Sequence, residues 1–416
     1  MENVSIKSEI GRLRKVIIHE PGAEIELMTP KTSNELLYDD ILSLNSAIKE
    51  HRELSEILKL HSNVYYIKDL LADIFQDESV KEELLKSLTK DIKSAFNIRE
   101  ELMRLDASAL ANKLLIGVEK HKDNLSNFLT NDKYALKPLP NFVYTRDSTI
   151  VINEHVLTGA MANEIRSTEA TILHSIFSHH QEFKPAGFYI DKMNGFEAEI
   201  SFEGGDILVL RDDVLAIGLS ERTNTEAIDF LIEKFKKIEQ IKHVFAVIMP
   251  KERAMIHLDM IFTMIDKNYC VAYNPVLLGD ERLGVVHIDL TSDKKKLTME
   301  DNLISSLKKV GIELEPVLCG GTERLHQERE QWMCGANFFT MAPGKIIGYG
   351  RNYRTFEQLD KVASMPRIEA QDIILGKVNL SDYDRYAIAI TGAELSRGGG
   401  GARCMTMPVL RDNVNL

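Results

Sequence analysis

The chain of 416 residues is long enough to bury a large core, in one big domain or in two average ones. Hydrophobic residues make up 44% and charged residues 27% of it, which is typical of a globular protein. The formal net charge of −12 argues against a general nucleic-acid surface or anionic-membrane surface and is compatible with a cationic substrate.

Targeting, membrane and disulfide signals are absent from the sequence. The first residues lack the apolar stretch of a secretory signal, and no apolar run approaches the length of a membrane span. The 4 cysteines form neither a CxxC pair nor a zinc-finger spacing. We therefore expect a cytoplasmic protein without a disulfide scaffold, a bound metal, a nucleic-acid partner or a membrane partner.

The first part of the chain alternates between strand and helix patterns. Residues 15–21 have the composition of a short buried strand that ends at a proline. Apolar positions recur at helical spacing over residues 34–60, and residues 63–67 are rich in β-formers. This alternation predicts an α/β body.

Between residues 68 and 137 the pattern changes to helical spacing with few β-branched runs and no proline. The chain becomes β-rich again after Pro138. We therefore predict a catalytic α/β domain made of residues 1–67 and 138–416, with an inserted α-helical domain at residues 68–137.

The second part repeats one pattern, in which two apolar β-prone runs flank a short polar turn and a helical stretch often follows. A unit of this kind that recurs along a chain predicts the blades of a repeat architecture. The predicted hairpins span residues 148–157, 207–217, 261–273 and 337–349.

Charged residues interrupt apolar sequence where several of these strands begin. Asp147, Glu203, His257 and Asp259 stand out, because a buried charge is costly unless it is paired or functional. In an extended strand His257 and Asp259 would share a face. Each taken alone has an ordinary alternative: a turn, a satisfied structural pair or a salt bridge. Together, carboxylates suit a planar cation with several N–H donors.

A glycine run near the C-terminal end precedes a cysteine, Cys404. Gly398 to Gly401 suit a backbone that a ligand approaches closely. The flanking Arg397 and Arg403 are expected to favour the thiolate of Cys404. Taken alone, the stretch is better explained as a flexible turn beside a structural cysteine, because free cysteines are usually buried and inert. Combined with His257 and the carboxylates, it indicates nucleophilic attack on a guanidinium carbon.

These motifs resemble the arginine deiminases, a family of the guanidine-modifying (pentein) superfamily, over essentially the whole chain. The resemblance implies a five-bladed α/β-propeller with an inserted helical domain, and a cofactor-free hydrolysis of L-arginine. The motifs that carry it are Thr145-Arg146-Asp147, Phe202-Glu203-Gly204-Gly205-Asp206, His257-Leu258-Asp259, Arg329-Glu330-Gln331-Trp332 and Arg403-Cys404-Met405.

The resemblance also implies a role for each catalytic residue. Cys404 would form a thiouronium intermediate, and His257 would protonate the departing ammonia and then activate water. Asp147 and Asp259 would hold the guanidinium, and Glu203 would orient His257.

Substrate binding follows from the same resemblance. The α-carboxylate contacts fall on Arg166 and Arg222, with Asn141 close by and Gly398 in the substrate loop. We also expect self-association into a dimer or a higher homo-oligomer.

One position departs from the family pattern. The family loop usually reads Arg-Gly-Arg-Gly-Gly, whereas this chain has Gly399 at the second arginine. The change removes a charge and a bidentate donor. It leaves open a related guanidino-compound hydrolase or amidinotransferase, and also an arginine-binding protein with low turnover.

Overall fold

The structure is a computed structural model that describes residues 3–90, 92, 95–190, 200–238 and 240–416. Its strands are β1 (Leu13–Ile18), β2 (Asn63–Tyr66), β3 (Val118–Glu119), β4 (Tyr134–Leu136), β5 (Thr149–Ile152), β6 (His155–Thr158), β7 (Gly187–Phe188), β8 (Ile207–Arg211), β9 (Val214–Leu219), β10 (His243–Ile248), β11 (Phe262–Met264), β12 (Tyr269–Ala272), β13 (Val285–Asp289), β14 (Lys296–Glu300), β15 (Glu315–Leu318), β16 (Phe339–Ala342), β17 (Lys345–Tyr349), β18 (Arg367–Glu369), β19 (Tyr386–Ile390) and β20 (Met407–Arg411).

Its α-helices lie between these strands, and α3 to α6 follow one another without a strand. They are α1 (Ala23–Glu26), α2 (Leu44–His61), α3 (Ile67–Ile74), α4 (Glu78–Leu88), α5 (Ala95–Met103), α6 (Ala107–Ile116), α7 (Leu125–Leu129), α8 (Thr145–Ser148), α9 (Ser167–His179), α10 (Thr225–Ile238), α11 (Asn274–Leu277), α12 (Leu303–Lys308), α13 (Arg324–Trp332), α14 (Tyr353–Ala363) and α15 (Ala370–Ile374).

The predicted hairpins are confirmed, and each belongs to a separate sheet. Antiparallel pairing joins β5 to β6, β8 to β9, β11 to β12 and β16 to β17. In every case the second hairpin strand then pairs in parallel with a later strand, respectively β7, β10, β15 and β19. A parallel neighbour needs a crossover connection, and helices such as α9, α10 and α14 supply it.

The chain ends follow the same pattern. The last strand, β20, pairs antiparallel with β1, and β1 pairs in parallel with β2 after the crossover helix α2. Among the described residues the strands therefore form five sheets of three to five strands each, and one small sheet of β3 and β4.

The buried side chains of the helical segment are continuous with those around the sheet of β5, β6 and β7. Buried side chains of α3, α4 and α6 belong to one hydrophobic cluster with β5, β6 and α9. The segment also contains the short β3–β4 pair, which the sequence did not predict. No helix in the described part of the chain is long and apolar enough to cross a bilayer.

The predicted helix over residues 34–60 is wrong in its first part, because α2 begins only at Leu44. Residues 34–37 form turns and residues 38–43 are irregular, and Leu37 has a positive φ of 65°. Their contacts are long-range: Tyr38 Oη donates to Pro140 O at 2.8 Å, and Asn141 Nδ2 donates to Leu36 O at 2.7 Å. These tertiary contacts outweigh the local helical preference.

Candidate active site

The five predicted catalytic residues lie in turns or loops just before strands, whereas Arg166 and Arg222 come shortly before the helices α9 and α10. A 3₁₀ turn and α8 lead into β5, the 3₁₀ turn Gly204–Asp206 leads into β8, and the 3₁₀ turn Leu258–Met260 comes just before β11. The loop before β20 carries Cys404. The strand geometry expected for His257 and Asp259 is therefore wrong, and the turn sends their side chains to different partners.

Cys404 is buried at the centre of the site, with its side chain beside a carboxylate. The distance from its Sγ to Asp259 Oδ2 is 3.7 Å. Its backbone N–H donates to Asn337 Oδ1 at 3.2 Å, and the N–H of Arg403 donates to the same oxygen at 3.0 Å. Burial, and then the charges of Asp259 and Asp147, raise the pKa of the Cys404 thiol well above its ordinary value. In this state Cys404 is a protonated thiol.

The expectation that neighbouring arginines favour the thiolate is therefore wrong. The buried guanidinium of Arg403 donates to both oxygens of Glu9 at 3.0 Å and to Asp259 Oδ2 at 2.8 Å. Arg397 is directed away, in ion pairs with Asp40 and Glu394. Both positive charges are compensated by carboxylates, so neither stabilises a negative sulfur.

His257 lies between two carboxylates. Its Nε2 is 2.9 Å from Glu203 Oε2, and its Nδ1 is 3.7 Å from Asp147 Oδ1. Burial lowers the pKa of His257, but the charge of Asp147 and the hydrogen bond to Glu203 outweigh it and raise the pKa to about 9. Burial works against the charged form of Glu203 too, yet the hydrogen bond from His257 lowers its pKa to about 2. At neutral pH the pair is an imidazolium and a carboxylate.

Two carboxylate oxygens in this site have no hydrogen-bond partner in the structure. They are Oδ1 of Asp147 and Oδ1 of Asp259, and both are buried. An unpaired buried carboxylate oxygen is costly, so the pair is suited to a ligand that brings several N–H donors and a positive charge.

The three residues predicted to contact the substrate α-carboxylate differ in how strongly other groups hold their side chains. Arg166 is buried, donates to Asp147 Oδ2 at 2.6 Å and pairs with Glu169 at 2.8 Å. Arg222 lies near Glu203, with Nη1 3.7 Å from Oε1. The side-chain amide of Asn141 is engaged with Leu36 O. All three residues line the same pocket as Cys404, Asp147, Glu203 and His257.

The glycine loop forms one wall of this pocket. A Cβ on Gly398 would lie 2.1 Å from Tyr144 Oη, and one on Gly400 would lie 2.4 Å from the Tyr144 ring. Gly399 has a positive φ of 88°, and a Cβ there would find no other atom nearer than 3.9 Å. Gly398 and Gly400 therefore allow close packing on Tyr144, whereas Gly399 faces open space.

Several residues of the site were missed at the sequence level. Asn337 fixes the backbone of Cys404, as described above. Asp206 accepts from Ser220 Oγ, Thr223 Oγ1 and the N–H of Leu258, and burial raises its pKa to about 7. It thus connects the turn that carries Glu203 to the segments of Arg222 and His257. Leu37, Tyr144, Arg253 and Ile256 also line the pocket.

A metal ion would have one candidate position among the described residues. Ligand atoms of Asp147, Glu203 and His257 lie within 4.8 Å of one another. The same atoms already form the hydrogen bond of His257 and its contact with Asp147, so an ion would have to replace them. A metal-free site stays a prediction.

Comparisons with known proteins give one family for this chain. The family model "Arginine deiminase" matches residues 34–411. The chain belongs to the arginine deiminase family. The arginine deiminase of Listeria innocua is 32% identical over 430 residues and covers 100% of both chains. That of Borrelia duttonii is 30% identical over 436 residues, covering 100% of this chain and 99% of its own.

Solved structures share the fold at low sequence identity. An amidinotransferase from Microseira wollei in saxitoxin biosynthesis has a TM-score of 0.52 at 12% identity and covers 99% of this chain and 98% of its own. The dimethylarginine dimethylaminohydrolase of Pseudomonas aeruginosa has a TM-score of 0.51 at 13% identity, with coverages of 95% and 99%. This member of the arginine deiminase family therefore has the mixed α/β fold of the pentein enzymes.

Proposed function

We propose that the protein hydrolyses L-arginine to L-citrulline and ammonia through Cys404. The observation that carries the proposal is the buried thiol beside Asp259, in a pocket that is also lined by a charged His257 and by Asp147, whose Oδ1 is unpaired. A guanidinium fits these carboxylates, its carbon is electrophilic, and its amino group needs a proton in order to leave.

Substrate binding would activate the nucleophile. The carboxylates of Asp147 and Asp259 hold the thiol pKa high in the empty site. A bound guanidinium compensates these charges, so the thiol can release its proton to solvent. The thiolate then attacks the guanidinium carbon and forms the C–S bond.

His257 would serve both halves of the reaction. As an imidazolium it gives its proton to the departing nitrogen, the C–N bond breaks, and ammonia leaves a thiouronium on Cys404. The neutral imidazole then takes a proton from water, whose oxygen attacks the same carbon. Collapse breaks the C–S bond, forms citrulline and returns the remaining hydroxyl proton to the thiolate.

An assay of citrulline formation from arginine tests this function. We expect product from the wild type and a loss of about 10,000-fold or more in kcat for Cys404→Ala, the scale seen when a nucleophile is removed. Cys270→Ala is the matched control, because Cys270 is a buried thiol in β12 away from the pocket. No citrulline from wild type, or equal rates for wild type and Cys404→Ala, would contradict the proposal.

A related guanidino substrate is the second candidate, and the open space at Gly399 favours it. A panel of arginine, agmatine, methylated arginines and arginine-containing peptides separates the two, since the leading proposal requires the highest kcat/KM with arginine. A binding protein with low turnover would instead show tight arginine binding by calorimetry without citrulline.

We also propose how the sheets and the helical segment are arranged in the fold. Each of the five larger sheets contains an antiparallel pair with a parallel third strand, which supports a five-bladed propeller whose first and last strands share a blade. The helices between β2 and β5 support a helical insertion at residues 68–137.

Cellular context is also proposed. All four cysteines are unpaired and buried, which supports a reducing, cytoplasmic location. Self-association is supported by the exposed apolar side chains of α7, and the mass in solution would check it. These side chains are Leu125, Phe128 and Leu129.

A further inference from the structure

The strand β14 forms an uncovered edge of the five-stranded sheet. The strand order is β14-β13-β10-β9-β8, so β14 has a neighbouring strand on one side only. Four of its five residues are exposed, whereas no other strand in the described part of the chain has more than one exposed residue. The opposite edge strand of the same sheet, β8, is buried over residues 207–210. The sheet therefore has one buried edge and one edge that faces solvent.

This edge lacks most of the features by which proteins prevent edge-to-edge pairing. β14 contains no proline, and its pairing with β13 runs over five residue pairs without a bulge. In contrast, the register is irregular where β1 pairs with β20, β8 with β9 and β16 with β17. A regular exposed edge presents unpaired backbone N–H and C=O groups, so it is suited to a further strand.

One face of the sheet is apolar beside this edge. Leu297 is 57% exposed and Met299 is 67% exposed, and Ile248, at the end of β10, is 39% exposed. A Cβ on Gly284 would lie 3.2 Å from Ile248 Cδ1 and 3.8 Å from Met299 Sδ, so these two side chains are close to each other. Exposed apolar side chains grouped along an open strand edge are typical of a surface that another chain covers.

The sequence of β14 is complementary to itself in the antiparallel direction. It reads Lys296-Leu297-Thr298-Met299-Glu300. If two copies pair about Thr298, each Lys296 lies opposite the partner's Glu300, and each Leu297 lies opposite the partner's Met299. Opposite-charge pairs, apolar pairs and a Thr–Thr pair all stabilise adjacent antiparallel strands. A shift by one residue would place Leu297 opposite Thr298 and Lys296 opposite Met299, so this register is the favoured one.

The charges at the two ends of β14 also favour a second copy. Within the described part of the chain Lys296 has no ion pair, although it is exposed, while Glu300 pairs with Lys309. In the antiparallel register the partner's Glu300 would give Lys296 a carboxylate. The two-fold arrangement supplies this pair twice.

We propose that two copies of this chain associate through β14, as antiparallel neighbours about a two-fold axis at Thr298. The two five-stranded sheets then form one continuous sheet, and Leu297 and Met299 are covered. The inference concerns self-association and does not depend on the proposed reaction. A five-residue edge is a small interface, so we expect a dimer of micromolar affinity.

Thr298→Cys tests the axis directly, because pairing about this residue brings the two introduced thiols together. Residues directly opposite each other in an antiparallel pair have Cβ atoms about 4.5–5.5 Å apart, so a small shift permits a disulfide. All four native cysteines are buried, which keeps the background low. We expect mild oxidation to give a covalent dimer on a non-reducing gel. Lys361→Cys, at an exposed position of α14, is the matched control and should stay largely monomeric.

Charge reversal tests the register. Lys296→Glu alone, or Glu300→Lys alone, turns both charge pairs of the dimer into like-charge pairs. In analytical ultracentrifugation each variant should raise the dimer Kd by about 10-fold or more. An equimolar mixture of the two variants restores both opposite-charge pairs, so it should associate nearly as well as the wild type. Lys361→Glu is the control, and urea midpoints near the wild-type value show that each variant is folded.

The proposal is overturned if the wild type stays monomeric up to about 100 μM, far above a micromolar Kd. It is also overturned if Thr298→Cys and Lys361→Cys crosslink to the same extent, or if the mixture associates no better than its two components. A dimer that is lost in Phe128→Ser but kept in Lys296→Glu would place the contact on α7 instead of β14, which likewise overturns it.

Discussion

The floor and the mouth of the pocket are both built from ion pairs, yet the two sets of pairs differ in burial. On the floor, Arg403 with Glu9 and Asp259, and His257 with Glu203, are almost completely removed from solvent. At the mouth, the Arg253–Asp39 and Arg397–Asp40 pairs are partly exposed to solvent. Buried pairs hold a geometry because separating them is costly, whereas exposed pairs exchange partners readily. The pairs of the floor thus hold their groups in one geometry, whereas the pairs at the mouth can exchange partners.

The strongest test of this contrast removes one arginine from each region. Arg403→Met leaves Glu9 and Asp259 as buried carboxylates without their cation, which costs about 3–5 kcal/mol of unfolding free energy. Urea denaturation followed by circular dichroism measures it. Arg397→Met is the control at the mouth, and its urea midpoint should stay close to that of the wild type. Equal losses in the two variants would contradict the contrast.

Glu203→Gln tests the electrostatics of the floor. Since the Glu203 carboxylate helps to raise the pKa of His257 to about 9, its removal should lower that pKa. In the proposed reaction the imidazolium donates the leaving-group proton, so wild-type activity should fall as the pH rises through about 9. In Glu203→Gln this alkaline limb should move to lower pH, and kcat should decrease by about 100-fold, the scale of lost general acid catalysis.

The free energy of unfolding should also depend on the protonation of His257. His257 has its pKa raised from 6.5 to about 9, so its pairing contributes stability that is complete below pH 6.5 and is lost as the pH rises through about 9. The difference in unfolding free energy between wild type and Glu203→Gln should therefore shrink at alkaline pH. If the activity of wild type and of Glu203→Gln falls at the same alkaline pH, a group other than His257 causes that fall.

Asn337→Ala examines the backbone of the nucleophile. Its amide oxygen accepts the N–H groups of Arg403 and Cys404, and its Nδ2 donates to Asp259 O at 3.2 Å. Without it we expect kcat to fall by about 10-fold with little change in KM, because a misplaced nucleophile affects chemistry more than binding. Asn337→Asp keeps the acceptor oxygen but loses the Nδ2 donor and adds a buried negative charge beside Cys404, so it should not restore activity. A change confined to KM would contradict this role.

Gly399→Ala should have the smallest effect. A side chain there has room, so the expected cost is that of a left-handed backbone, about 1 kcal/mol, with activity near that of wild type. Gly400→Ala, in contrast, would place Cβ within 2.4 Å of the Tyr144 ring and should reduce both stability and activity. Urea midpoints and citrulline rates compare the two. Equal effects would mean that the loop packs equally tightly at both positions.

The hairpins could be predicted from the sequence because alternating apolar runs around polar turns are local signals. Asp147, Glu203, His257, Asp259 and Cys404 could also be identified, since charges are rare in apolar sequence and the motifs are specific. The structure brings these five side chains, which are distant in the sequence, into one site.

Features that depend on distant partners could not be predicted. Residues 36–40 have helical spacing, but their conformation depends on contacts with Asn141, Pro140 and Arg253. Arg253 is 214 residues away from its partner Asp39 in the sequence. Similarly, the sequence places Arg403 next to Cys404 without showing that its guanidinium is directed to Glu9. Adjacent residues in a turn do not share an environment. The sequence therefore predicted a stabilised Cys404 thiolate, whereas the structure raises the pKa of this thiol.

The position of Cys404 also has a consequence for biosynthesis. Asp147, Glu203, His257 and Asp259 all precede it in the chain, and β20, which pairs with β1, begins only three residues after it. During translation the nucleophile therefore leaves the ribosome after every other catalytic group. A nascent chain that stops short of this loop has the carboxylates and the histidine but no reactive sulfur, so reactivity is acquired only when the first and last strands can pair.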